Sequence, residues 1–217
     1  SGRGPGGSLP ASISAELVAR LTATVRTSGR ASVTTHAPFN GAVVAEVPQC
    51  EERDVIAASE RAAVVQKEWA ARPVSELAKV FLAMHDLVLD NQQVLMDLVQ
   101  AENGKARRDA YLEVADIAVT CRYYARTASR VLAPKVRTGI IPLVTSVREL
   151  RHPRGIVTVI SPWNYSLSLA AGDTIPALLA GNAVVQKPDN QTALTGLYAR
   201  ELAVRAGLPE DPWQIVP

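Results

Sequence analysis

Up to residue 132 the apolar positions of the chain return every three or four residues, and beyond it they gather into short β-rich runs. The first rhythm predicts helices. Ile13, Leu17, Val18, Leu21 and Val25 share one face of a helix over Ile13–Val25. Ser32–Thr35 and Ala42–Val47 interrupt as two strands around Pro38-Phe39-Asn40-Gly41, a hairpin by composition. Glu51–Ala71 reads as helix, closed by Pro73. Val74–Glu102 predicts one long amphipathic helix: Leu77, Phe81, Met84, Leu87 and Val88 are followed by Val94, Leu95, Leu98 and Val99, with Gly104 as the stop. Arg107–Leu132 predicts a further helix carrying Tyr111, Val114, Ile117, Ala118, Cys121 and Tyr124. These stripes read as core packing.

After Pro134 the texture changes. Val136–Ile141 and Leu143–Leu150 are β-rich and joined through Pro142, which predicts a hairpin. Gly155–Ile160 predicts a strand, broken by Ser161-Pro162-Trp163-Asn164; Leu167–Leu179 predicts a helix, and Ala183–Val185 returns to β character before Lys187-Pro188. Strand, crossover helix and strand within about 30 residues is the βαβ unit of a parallel sheet, so the fold class is α/β. Ligands in such sheets bind at the carboxyl ends of the strands, where Pro162-Trp163-Asn164 and Lys187-Pro188 both fall.

Composition narrows the function classes. The 217 residues are 47% hydrophobic and 20% charged, ordinary for a globular protein that encloses one large core or two small ones. The net charge of +2, with basic residues scattered, gives no electrostatic reason to expect nucleic acid. No apolar run approaches the ~18 residues of a membrane helix. The two cysteines, Cys50 and Cys121, have neither CxxC nor metal-ligand spacing, which predicts buried, inert thiols, no metal site and a reducing compartment, the cytoplasm. His36, His85 and His152 lie far apart and read as structural or solvated.

Two signals are decoys. Residues 2–7 formally contain G-x-G-x-x-G, but that motif cradles phosphate only after a strand and at the start of a helix. Residues 1–10 are instead expected to be a disordered leader. Asn164-Tyr165-Ser166 and Asn190-Gln191-Thr192 match glycosylation sequons that carry no meaning without secretion.

Ile160-Ser161-Pro162-Trp163-Asn164-Tyr165, then Pro176-Ala177-Leu178, Ala180-Gly181-Asn182-Ala183-Val184-Val185 and Lys187-Pro188 resemble the aldehyde dehydrogenase superfamily in order and spacing. Ala206-Gly207-Leu208-Pro209 and Gln214-Ile215-Val216-Pro217 extend the match, and Trp69-Ala70-Ala71-Arg72-Pro73 and Ala101-Glu102-Asn103-Gly104-Lys105 resemble that family's amino-terminal part. The resemblance runs from about Ser32 to the last residue and is greatest to bacterial NADP-dependent succinate-semialdehyde dehydrogenases. It implies an incomplete doubly wound parallel sheet. Residues 11–133 would be the helical amino-terminal part of the cofactor domain, 134–152 an oligomerisation hairpin, and 153–217 the dinucleotide-binding core of a homo-oligomer.

The resemblance also implies roles. Oxidation of a small aldehyde in this family passes through a cysteine thiohemiacetal, whose oxygen develops negative charge. Asn164 is the expected catalytic residue, because a carboxamide NH2 is a neutral donor able to stabilise an oxyanion in a dry site. An asparagine that satisfies its own turn is the alternative. Ser161, Pro162 and Trp163 would line the cofactor groove and Tyr165 the aldehyde channel. Lys187, with Pro188, would meet the adenosine ribose hydroxyls of NAD or the 2′-phosphate of NADP. Asn190 stands where many NAD-preferring members carry a glutamate, and a neutral side chain favours NADP.

Four positions depart from the family pattern: Ser166 and Ala193 replace prolines, Gln186 replaces an apolar residue, and Gly172 stands where some succinate-semialdehyde enzymes carry an arginine for the substrate carboxylate. The family's nucleophilic cysteine and glutamate base lie downstream of the strand ending at Pro217. The chain is therefore expected to be an amino-terminal part of such an enzyme or a truncated, non-catalytic relative, inactive by itself. Strand Ile156–Ile160, mid-sheet in the resembled fold, is expected to present an open edge.

Overall fold

A computed structural model describes residues 8–141 and 144–217. Residues 1–7 of the expected leader, which hold the glycine-rich decoy, and the Pro142–Leu143 joint of the second hairpin lie outside the described residues. Of the leader's remainder, Leu9 packs partly buried against the core and Pro10 O accepts from Ile13 N at 2.9 Å. Helix α1 (Ala15–Thr22) opens on Ser14, whose hydroxyl accepts from Leu17 N at 3.1 Å and so satisfies one free amide of the first turn. Strands β1 (Ser32–His36) and β2 (Val43–Pro48) pair antiparallel. Helix α2 (Glu52–Ala70) follows, its first turn fixed by buried Asp54, which accepts from Glu51 N, Ser28 N, Ser28 Oγ and Thr27 Oγ1.

The predicted helix over Val74–Glu102 is two helices, α3 (Val74–Asp90) and α4 (Gln92–Asn103). They part at Asn91, whose Nδ2 donates to Leu87 O at 2.7 Å while its Oδ1 accepts from Tyr198 OH at 3.0 Å. The apolar stripe continues across the break because both helices face the same core. Helix α4 ends at Gly104, which adopts φ +75°; a Cβ there would sit 2.8 Å from Pro38 Cγ, so space and conformation both demand glycine. The 26-residue helix α5 (Arg107–Leu132) packs along α3. The second hairpin is shorter than its β-rich runs: β3 (Lys135–Thr138) and β4 (Ser146–Glu149) exchange four residue pairs.

The parallel sheet has the order β5 (Ile156–Ser161), β6 (Ala183–Pro188), β7 (Trp213–Ile215), with Ile156 opposite Ala183 and Ser161 opposite Pro188. Helix α6 (Ser168–Leu179) crosses from β5 to β6. A 3-10 turn at Asn190–Thr192 leads into α7 (Ala193–Arg205), a helix that amphipathic patterning leaves unassigned because it is buried on nearly every side. Ala58 and Ala62 of α2 pack on Ala183, Val185 and Val216, while Ile175, Leu178, Leu194 and Leu197 share the opposite core with Val159, Val184 and Ile215. Helices therefore cover both faces of the sheet, as in a doubly wound fold. Strand β6 is buried throughout its length, apart from partly covered Lys187, and β5 forms one border, with Ile160 78% exposed.

Candidate active site

Two loops at the carboxyl ends of β5 and β6 carry the expected chemistry. The first is the turn that breaks β5 after Ser161 and enters α6. Asn103 Nδ2 donates to Trp163 O at 3.4 Å, and Lys105 Nζ donates to Asn164 O at 2.6 Å, so consecutive carbonyls are held by side chains two residues apart. The Lys105 ammonium also donates to Glu113 Oε1 at 2.5 Å and lies 4.1 Å from the centre of the Tyr165 ring. Its three protons thus face a carbonyl, a carboxylate and a π-cloud.

Glu113 is buried, and its other oxygen accepts from Leu167 N at 2.9 Å and Ser168 N at 3.1 Å. A carboxylate placed at the first amides of α6 is favoured by the helix dipole as well as by the two hydrogen bonds. Asn164, Tyr165 and Ser168 line a cleft of about 390 Å³ together with Lys105, Asp109, Leu112, Glu113 and Asp116. Trp163 and Tyr165 are more than half exposed.

The second loop begins at Lys187. Its ammonium turns back onto Pro188 O at 2.7 Å and Asn190 Oδ1 at 2.9 Å, so the two residues paired by the sequence argument meet in space. Ser161, by contrast, faces inward: it is 5% exposed and accepts at Oγ from Gln186 Nε2 at 3.2 Å. Pro188 is buried opposite it. The loop's far side is anchored by Glu102, whose carboxylate accepts from Leu194 N at 2.7 Å, Thr195 N at 2.9 Å and the Thr195 hydroxyl. Burial pushes the Glu102 carboxyl up to about 7, against the downward pull of the Thr195 and Leu194 hydrogen bonds.

Cys121 is buried inside α5, and burial pushes its thiol up to about 12. Cys50 is half-buried, not fully buried as expected, and burial with nearby Asp54 pushes it up to about 11. Neither is a ready nucleophile. Among the described residues no group of three or more His, Cys, Asp and Glu side chains is placed to hold a metal ion, and no helix is long and apolar enough to cross a membrane.

Motifs in the sequence point to Asn164 and Lys187 but not to Lys105, Glu113 and Glu102. Glu102 and Lys105 stood inside a recognised motif without an assigned role. Glu113 sits eight residues beyond Lys105, next to the apolar stripe of its helix at Val114, and its burial depends on α6 packing against α5.

The family model described as "Aldehyde dehydrogenase family" matches residues 24–217. The chain is 48% identical over 179 residues to a Mycolicibacterium smegmatis protein named "Putative succinate-semialdehyde dehydrogenase", specified for NADP(+), covering 82% of this chain and 35% of that one. It is 36% identical over 185 residues to the mitochondrial succinate-semialdehyde dehydrogenase of Arabidopsis thaliana, covering 82% of this chain and 34% of that one. Among solved structures, the NADP-dependent glyceraldehyde-3-phosphate dehydrogenase of Bacillus halodurans C-125, complexed with NADP, superposes with a TM-score of 0.83 at 31% identity, covering 89% of this chain and 41% of that one. The chain thus spans little more than a third of the curated relatives it matches. With helices on both faces of its parallel sheet and both signature loops at the strand ends, the chain belongs to the aldehyde dehydrogenase family.

Proposed function

We propose that the chain forms the oxyanion-binding and adenosine-binding part of an NADP-dependent aldehyde dehydrogenase. The observation that supports this most is the meeting of Lys187 and Asn190 at the end of β6, at 2.9 Å, beside the cleft-lining Asn164 turn at the end of β5. A lysine whose partners are a neutral carboxamide and a carbonyl fits a ribose 2′-phosphate, which a glutamate at 190 would repel. When bound, the dinucleotide supplies the hydride acceptor. Lys187, Pro188 and Asn190 would hold its adenosine end, and Pro162 and Trp163 its groove. Ser161 contributes by fixing Gln186 rather than by contact.

On this reading the Asn164 carboxamide donates to the aldehyde oxygen as it becomes an oxyanion under attack by a thiolate. Removing one such donor costs ~10²–10³ in rate. Tyr165 borders the path of the aldehyde. Cys50 and Cys121 are unsuited to the attack, so the reading assigns the thiolate to polypeptide outside these 217 residues. Among the described residues lining the cleft, the one cation, Lys105, is offset by Glu113, and Asp109 and Asp116 add negative charge. If succinate semialdehyde is the substrate, as the relatives' names state for those proteins, the described lining of this cleft offers no uncompensated cation for its carboxylate. Gly172 offers no charge for it.

The β3–β4 hairpin presents Val136 and Val147 to solvent, and Ile140 beside it is 96% exposed. A second copy of the chain is the partner such an edge fits. Two free thiols suit the cytoplasm. The test is calorimetric titration of NADP and NAD into the 217-residue protein and its Lys187→Ala variant. NADP is expected to bind more tightly than NAD, and the variant to lose about tenfold or more, the scale of one charge-assisted contact. Absence of binding, or equal binding by the variant, would overturn the proposal. Turnover by the 217 residues alone is not expected, because the thiolate is assigned outside them, and aldehyde oxidation by this chain without further polypeptide would overturn that assignment.

A further inference from the structure

Asn164 can stabilise an oxyanion only if its carboxamide is held still, because a donor that must reorganise during the reaction gives back much of what it gains. The residue lies in a turn between a border strand and a helix, and both Trp163 and Tyr165 beside it are largely exposed. Burial fixes the end of the turn, at Ser166 and Leu167, so something else must hold its part from Trp163 to Tyr165.

Two anchors do so, and they meet in one ion pair. Upstream, Asn103 and Lys105 hold the carbonyls of Trp163 and Asn164. Downstream, Glu113 holds the amides of Leu167 and Ser168. Lys105 and Glu113 are joined at 2.5 Å, with side chains 16% and 1% exposed. The four residues from Asn164 to Leu167 are therefore spanned by a bridge of backbone carbonyl, ammonium, carboxylate and backbone amide. The ammonium also covers the Tyr165 ring, while the Asn164 carboxamide, like the Ser166 hydroxyl, has no hydrogen-bond partner among the described residues.

We propose that Lys105 is a positioning residue for Asn164: seated on buried Glu113, it fixes the turn so that the Asn164 carboxamide borders the cleft. Its catalytic meaning rests on the oxyanion role proposed above; the geometry does not. Arginine can reach both a carbonyl and a carboxylate, although with a planar fork. Methionine has comparable length and removes the charge and all three donors. A residue needed only for folding would loosen the whole molecule when replaced. A positioning residue loosens its own turn.

The experiment uses the full 217-residue chain labelled with 15N, as wild type, Lys105→Met and Lys105→Arg. Amide hydrogen exchange is read at Leu167 and Ser168, 15N relaxation at residues 163–168, and both again at buried Phe81 and Ile117 as internal standards. In Lys105→Met, exchange at Leu167 and Ser168 should rise about tenfold or more, as for a lost charge-assisted hydrogen bond, and Asn164 should become mobile. Phe81 and Ile117 should stay unchanged, and Lys105→Arg should return the turn towards wild type.

A turn as ordered in Lys105→Met as in wild type would overturn the proposal. So would loosening spread evenly to Phe81 and Ile117, or an arginine variant no better than methionine. If Lys105→Met does not fold, Asn103→Ala carries the same test through the Trp163 carbonyl. These readouts need neither dinucleotide nor turnover, so their failure is distinct from failure of the nucleotide-binding test.

Discussion

Trp213 Nε1 donates to Gln186 Oε1 at 2.9 Å inside the parallel sheet, and the same carboxamide donates from Nε2 to Ser161 Oγ at 3.2 Å. Gln186 is fully buried, and its one side chain links β5, β6 and β7. The family pattern has an apolar residue here. In this chain the amide is satisfied at both ends, so the substitution carries little penalty. Replacing it with the family-like apolar residue, Gln186→Val, should lower stability by about 1–3 kcal/mol by orphaning the buried indole N–H. Urea midpoints would show it; an unchanged or higher midpoint would mean that Trp213 finds another partner.

Ser166 is the opposite case. It is 2% exposed, stands where the family carries proline, and its hydroxyl has no hydrogen-bond partner among the described residues. A buried, unpaired hydroxyl costs about 1 kcal/mol or more. Ser166→Ala should therefore raise the melting temperature without moving the Asn164 turn, and thermal denaturation at fixed pH reads the difference. A lower melting temperature would show that the hydroxyl is paired.

Two buried carboxyls should give the stability opposite pH slopes in separate windows. Burial disfavours the charge of Glu102 and pushes its carboxyl up to about 7 in the folded chain, from an ordinary value of 4.5. The folded state then keeps a proton that the unfolded chain has released, so stability falls as pH rises from about 4.5 to 7, by up to roughly 3 kcal/mol. Asp54 is held down to about 2 from 3.8 by hydrogen bonds from Ser28 and Glu51. Its contribution is present above about 4 and is lost as pH falls towards 2. Glu102→Gln should flatten the upper slope and leave the lower one. Urea midpoints across pH 4–8 that rise continuously would contradict the Glu102 assignment.

Cofactor choice should follow the charge at position 190. Asn190→Glu places a carboxylate beside Lys187 and should weaken NADP about tenfold relative to NAD, since the added charge opposes the 2′-phosphate. Competition binding with the two dinucleotides measures the ratio directly. An unchanged ratio would move the selecting contact away from this loop.

Much of the architecture is legible in the amino-acid sequence. Helical spacing located α1, α2 and α5, and the switch from Ile160 to Pro162-Trp163-Asn164 located the turn that ends β5. The break at Asn91 was hidden because the apolar stripe runs on across it and one of the partners of its side chain, the Tyr198 hydroxyl, lies 107 residues away. Helix α7 was hidden because a segment buried all round has no polar face to mark its period. At the site, Asn164 and Lys187 were legible through motifs. Lys105 and Glu113 were not, since a lysine and a glutamate eight apart look solvated until α6 and the Asn164 turn are laid over them.

Asn182 closes the βαβ unit from the other end. Its Oδ1 accepts from Arg154 N at 2.6 Å and Gly155 N at 3.1 Å, and its Nδ2 donates to Ala177 O at 2.9 Å. Gly155, at φ +104°, gives the backbone the turn that presents its amide there. One carboxamide thus ties the entry of β5 to the exit of α6, one residue before Ala183 takes its place opposite Ile156. Side chains alternate along a strand, so a slip of a single residue at this point would invert the two faces of β5 along its whole length. Exposed Ile160 would turn inward and Ser161 would lose Gln186. Asn182 is in this sense the origin from which the far end of the strand is measured, and an error of one step there would reach Asn164 as a reversal of sides.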